Sequence, residues 1–338
     1  MKLQLKLSKS IAEIETEKVR YIWEPPDIYD DVHNNDVWLI YGRKGAGKST
    51  VIDYLGTDNA TPNVIIVRPR QTTLFRKILS AISQAKGEER VVEEAIVAAI
   101  DFALTTHIFS KLVPLAGFIK PGSAREKIYN FLTTNKLAAD STLRKTIDFI
   151  SNATGKRMKL IPDLGAALDK ATGAISLEDA KEALCTFLIE ENKTFVLCID
   201  DIDEIGFTYS RSDRLFINGL IVYMVRSNLY FLDRKTKGRV LLTAPSELFF
   251  QSSLWGVDWV SSKSRCLTWH HLTHLQDLVN KSDHPNASAS VSTTRVTGAI
   301  SNSDSSVWRC RRAFEQNVKN DVRVEQHPRR CFSRRKRR

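Results

Sequence analysis

The sequence predicts an α/β fold, a parallel sheet with helices on both faces, and three observations carry that prediction. Short, predominantly apolar runs recur near residues 37–41, 64–67, 195–199 and 240–243, which is how strands buried on both faces read. Stretches of helical spacing separate them, so successive strands are joined by crossovers rather than hairpins. The first run passes directly into a glycine-rich turn and then into a helix-forming segment.

The 338 residues are 42% apolar and 26% charged, a globular composition. The formal charge is +11, but it is unevenly placed. Residues 295–338 hold 13 basic and 4 acidic side chains. That leaves +2 for everything before them, so the body is nearly neutral and a basic-protein reading of the whole chain fails. Five cysteines without a CxxC pair exclude a disulfide scaffold and a cysteine-rich zinc site. The opening MKLQLKLSKS lacks the continuous apolar stretch of a secretory signal. Residues 91–118 are the one candidate membrane span. Charges and Pro114 interrupt it, so it reads as a buried amphipathic helix of a cytoplasmic protein without a membrane partner.

In chain order, residues 3–7 alternate like a strand, and 11–23 suit a charged helix ended by Pro25-Pro26. Residues 37–41 are the first core strand, residues 49–55 the helix after the glycine turn, and residues 64–67 the second strand. Residues 73–150 read as mostly helical, with breaks near Pro114 and Pro121-Gly122, and 156–173 as loop because of Pro162, Gly165 and Gly173. Ser176-Leu-Glu-Asp179 is a capping box. The helix after it places Leu177, Ala180, Leu184, Phe187 and Leu188 on one face. Residues 195–199 form the third strand, 211–231 a helix, 240–243 the fourth strand, 246–254 a short helix and 266–269 a fifth strand. Trp38, Trp255, Trp259 and Trp269 read as packing residues. Residues 271–281 have helical spacing. Beyond Lys281 the Ser/Thr/Arg-rich sequence loses any apolar period and cannot bury enough surface to fold alone.

Gly42-Arg-Lys-Gly-Ala-Gly-Lys-Ser49 matches GxxxxGK[ST] in full. Glycines let the backbone curl so that successive N–H groups of Gly42, Arg43, Lys44, Gly45, Ala46, Gly47, Lys48, Ser49 and Thr50 can face a phosphate chain. Lys48 reaches the β- and γ-phosphates, and the Ser49 hydroxyl is a ligand for Mg²⁺. The run 195–199 ends in Asp200-Asp201-Ile-Asp-Glu204, the pattern of a carboxylate strand end that shares such a metal. Asp200 is the metal-holding candidate. Asp201 is the candidate for orienting or deprotonating water, with Glu204 as its alternative. Thr243, at the end of its strand, is a candidate polar contact to the γ-phosphate or the water. This reading places the 195–199 strand beside the loop-bearing strand with Asp200 close to the loop. A distant carboxylate, or a strand that does not adjoin, would overturn the nucleotide-switch reading.

These elements predict the P-loop NTPase three-layer fold. The segments Tyr41 to Thr50, Val196 to Asp203 and Leu241 to Pro245 resemble bacterial P-loop ATPases of the STAND and origin-recognition-like part of the AAA+ superfamily, over roughly residues 20–281. The resemblance implies ATP and Mg²⁺ as cofactors, and slow hydrolysis that switches a regulatory protein between states. Several relatives serve bacterial stress-response or anti-phage systems. It implies a sensor role for Thr243, an effector that reads the state, and a homo-oligomer in which Arg265 acts on a neighbour's nucleotide. Residues 30–270 would be the core with an insertion at about 73–175, and 1–29 an added strand and helix. Residues 271–283 would be the first helix of an incomplete C-terminal lid, and 284–338 a disordered basic tail that resembles shifted-frame translation. Rival readings rest on Asn280-Lys-Ser-Asp283 and Asp203-Glu-Ile-Gly206 for a GTPase, on the shared phosphate loop for a small-molecule or polynucleotide kinase, and on the basic tail for nucleic-acid binding.

Overall fold

A computed structural model gives the architecture. It describes residues 28–267 except 58–62, 70–71, 86, 115, 139–141, 156 and 255. The expectations placed on 1–27 and 268–338, including the lid helix, the NKxD segment and the tail, lie outside the described residues.

Five strands, β1 (Leu39–Gly42), β2 (Val64–Val67), β3 (Thr194–Ile199), β4 (Lys237–Pro245) and β5 (Ser264–Cys266), form one sheet in the order β2-β3-β4-β1-β5. Every pairing is parallel: Leu39 sits between Leu242 and Ser264, and Ile199 between Val67 and Leu242. The expected adjacency of the acidic strand and the loop strand is therefore wrong, because β4 lies between β3 and β1. Apolar runs identify strands, but their lateral order depends on where each crossover packs. Here the nine-residue β4, the longest strand, is central enough to pair on both sides.

Strand alternation divides the core between the two faces of the sheet. Ile40, Val196, Cys198 and Leu241 pack with Ile28 and Val32 of α1 (Ile28–His33) and with Val51, Ile52 and Leu55 of α2 (Lys48–Thr57). Leu39, Leu197, Ile199, Val240 and Leu242 face a larger cluster. That cluster includes α3 (Leu74–Gln84), α4 (Glu89–Leu112), α5 (Ala124–Thr134), α6 (Thr142–Ala153), α7 (Leu164–Thr172), α8 (Leu177–Glu190) and α9 (Arg211–Asp233). The result is a three-layer α/β domain with a helical insertion between β2 and β3. Helix α4 is the insertion's centre, touching α3 and each of α5 to α9.

Some boundaries depart from expectation. Residues 156–173 contain α7 rather than loop alone, since Leu164, Leu168 and Thr172 recur at helical spacing and are buried, and Gly165 tucks beside Ala98. The helix expected at 246–254 shrinks to α10 (Ser246–Phe249), α11 (Asp258–Ser262) follows it, and β5 begins two residues earlier than expected. Trp38 is buried, whereas Trp259 is 41% exposed and is not a core residue. Two helices, Glu89–Leu112 and Arg211–Asp233, are long and apolar enough to cross a membrane, one more than the sequence reading allowed. In the most apolar window of each, 78% and 67% of residues are buried within the domain.

Candidate functional site

Helices leaving the C-terminal strand ends set the position of the site. After β1 the chain turns to α2 on one face of the sheet, whereas β3 and β4 lead to α9 and α10 on the other. The crevice between β1 and β4 is therefore the place where successive connections diverge, the favoured ligand position in an open parallel sheet. Residues 42–49 curl over it.

Two glycines in the loop adopt positive φ, Gly45 at 82° and Gly47 at 90°, conformations that a side chain would strain. Gly42 is constrained differently: a Cβ there would lie 2.6 Å from the Leu267 carbonyl oxygen as the chain passes over after β5. Lys48 donates from Nζ to the carbonyls of Gly42 and Arg43, each at 3.0 Å, and so braces the loop from inside. Burial holds the Lys48 ammonium below the usual lysine range, opposed by the nearby Asp203, Asp200, Glu247 and Asp201. Lys44 points outward, 90% exposed, with Asp203 at 3.9 Å.

The acidic strand end reaches this loop across the end of β4. Asp200 is fully buried, which is costly for a carboxylate unless hydrogen bonds and charge compensate it. Both oxygens are compensated. Oδ1 accepts from the Thr243 hydroxyl at 2.5 Å and the Ser49 hydroxyl at 3.3 Å. Oδ2 accepts from Arg68 Nε at 3.1 Å, with Arg68 Nη2 also at 3.1 Å. Asp201 accepts from Ser49 at 2.8 Å and lies 3.4 Å from Arg68 Nε. Its backbone is left-handed, φ 54°. Burial, with Asp200 beside it, raises the Asp201 carboxyl above its usual range despite the Ser49 hydrogen bond.

Ser49, Asp200, Asp201 and Thr243 are thus brought together as expected. The Thr243 hydroxyl, however, is committed to Asp200 rather than aimed at the mouth of the loop. Glu204 lies on the 3-10 turn Ile202–Ile205, near enough to act on the charge of Asp201. Arg265 is not drawn to the cluster. Its guanidinium binds Asp31 at 3.2 Å and the Ser262 and Ser264 carbonyls. Sequence reasoning missed Arg68 and Asp53, which pair at 2.7 Å. The available signals were an arginine directly after an apolar strand and an acid one helical turn beyond Ser49.

The donor set suits a hard cation, since it offers one hydroxyl and two carboxylates and no sulfur or imidazole. No group of three His, Cys, Asp or Glu able to hold a metal occurs among the described residues. A Mg²⁺ ion here would draw its remaining ligands from phosphates and water, as that ion commonly does. A cavity of about 310 Å³ lined by His33, Lys237 and Arg239 lies beside the opposite, N-terminal ends of β3 and β4 and shares no residue with this site. Compared with known proteins, the chain matches no family model, no curated protein and no solved structure.

Proposed function

We propose that the chain is a P-loop ATPase of the AAA+ type, in which ATP binding and slow hydrolysis set a regulatory state. One observation carries this reading: the Ser49 hydroxyl lies within hydrogen-bonding reach of both Asp200 and Asp201 at the mouth of a full GxxxxGKS loop. Adjacency of the two strands fails, but the chemistry depends on the distance between the groups, and that condition is met across β4. The backbone of Gly45 to Ser49 and the start of α2 would bind phosphates, with Lys48 swinging from the loop carbonyls to the outer phosphates. Ser49 and Asp200 would hold Mg²⁺, which when bound neutralises charge on the transferring phosphoryl group. Asp201, its basicity raised by burial and by Asp200, would orient or deprotonate water. Thr243 would keep Asp200 in register.

Lys48→Ala tests the assignment. Mg-ATP should raise the melting temperature of the wild type and leave that of the variant unmoved; an equal rise in both would contradict the reading. Competing ATP and GTP against one fluorescent nucleotide separates an ATPase from a GTPase.

A further inference from the structure

Arg68 is the one cation in direct contact with the paired carboxylates at the end of β3 among the described residues, and neither the loop motif nor the acidic motif contains it. It leaves the end of β2, the neighbour of β3, and is only about one-fifth exposed. Its Nη2 bridges Asp53 at 2.7 Å and Asp200 at 3.1 Å, while its Nε lies 3.1 Å from Asp200 and 3.4 Å from Asp201. One guanidinium therefore contacts three carboxylates, one of which, Asp200, is the group assigned to the divalent cation. Asp53, on α2, gives Arg68 an anchor outside that pair.

We infer that Arg68 competes with the divalent cation for Asp200 and so sets the Mg²⁺ concentration at which nucleotide is held. This rests on the nucleotide-binding reading above. A cation approaching Asp200 meets a guanidinium already hydrogen-bonded to it and ion-paired with Asp201. It must displace that group or bind beside its positive charge, and either route weakens metal affinity. Loss of the metal returns the guanidinium to Asp200. Arg68 is accordingly a positioning residue that acts through Asp200, without contacting phosphate.

The test follows binding of a fluorescent ATP analogue by the full chain while Mg²⁺ is raised from micromolar to tens of millimolar. Wild type, Arg68→Gln and Arg68→Lys are compared. The expected result is a Mg²⁺ midpoint about fivefold or more lower in Arg68→Gln, with Arg68→Lys in between and metal-free nucleotide affinity the same in all three. A midpoint unchanged or raised in Arg68→Gln overturns the inference, as does a loss of metal-free affinity, which would make Arg68 a phosphate ligand. If Arg68→Gln does not fold, Arg68→Lys decides alone, and its midpoint must fall below that of the wild type. A wild type that binds no nucleotide at any Mg²⁺ concentration sinks the parent reading and this one together. Tight wild-type binding with an unmoved midpoint sinks this one alone.

Discussion

At the residue scale, buried charge is tolerated here because donors surround it. Asp200 sits among Thr243, Ser49 and Arg68, so removal of one partner leaves a carboxylate short of compensation. Asp201 is more open and its removal is less structural. Asp201→Asn should keep nucleotide binding while lowering turnover about a hundredfold, the usual contribution of a positioned base; parallel binding and phosphate-release measurements check this. Wild-type turnover in the variant would remove Asp201 from the chemistry. His107 presents the opposite case. It is buried on α4 with no hydrogen-bond partner for Nδ1. Burial, helped by Lys111, depresses its imidazole to about 4. Between that value and the unfolded value near 6.5, the unfolded chain binds a proton the folded chain refuses. Stability is therefore full above about pH 6.5 and is lost as pH falls toward 4. Denaturant titration at pH 7 and pH 5 should show the wild type losing roughly 2 kcal/mol more than His107→Leu over that interval. Equal losses would show that other groups control the acid limb.

At the element scale, capped helix starts were legible and strand partners were not. The capping box Ser176/Asp179 is formed as the sequence indicates, and Ser210/Asp213 forms a second one at the start of α9. Both are local, within four consecutive residues, so no tertiary information is needed to see them. Helix α7 escaped notice because its Pro and Gly neighbours signal loop. Nine residues are too few to be helical unaided, and packing of Leu164 and Leu168 into the core decides the matter. Strand β4 shows a further nonlocal device. Near Val240 it has β3 on one side, while β1 begins pairing only opposite Leu242. Asn228 from α9 substitutes for the missing strand, accepting from Val240 N at 2.7 Å and donating to Val240 O at 2.9 Å. Asn228→Ala leaves both backbone groups buried without partners and should cost about 2–4 kcal/mol in urea unfolding. A loss below about 0.5 kcal/mol would mean that water replaces the side chain there.

At the scale of the whole molecule, the site belongs to the sheet rather than to any segment. Its groups come from the ends of β1, β2, β3 and β4 and from the start of α2, residues spread from 42 to 243. A ligand gripping them ties together the central strands, so its binding energy should register in global stability. At a concentration about 100 times its dissociation constant it contributes about 2.7 kcal/mol. For a domain of this size that corresponds to a melting shift of roughly 5–10 °C, the rise that Lys48→Ala should erase. A calorimetric scan in which Mg-ATP moves only a minor early transition would instead indicate a site confined to one mobile element.

By itself the sequence determined the α/β class, the strands, the curled 42–49 loop and the acidic end of β3. These follow from contiguous patterns in which burial on both faces or backbone freedom is written into neighbouring residues. The tertiary structure decided that β4 separates β3 from β1, that Thr243 is committed to Asp200, that Arg265 turns to Asp31, and that Arg68 and Asp53 join the acidic pair. Each of these is a contact between side chains distant in sequence, and strand order and crossover packing, which no local pattern encodes, set which of them can meet.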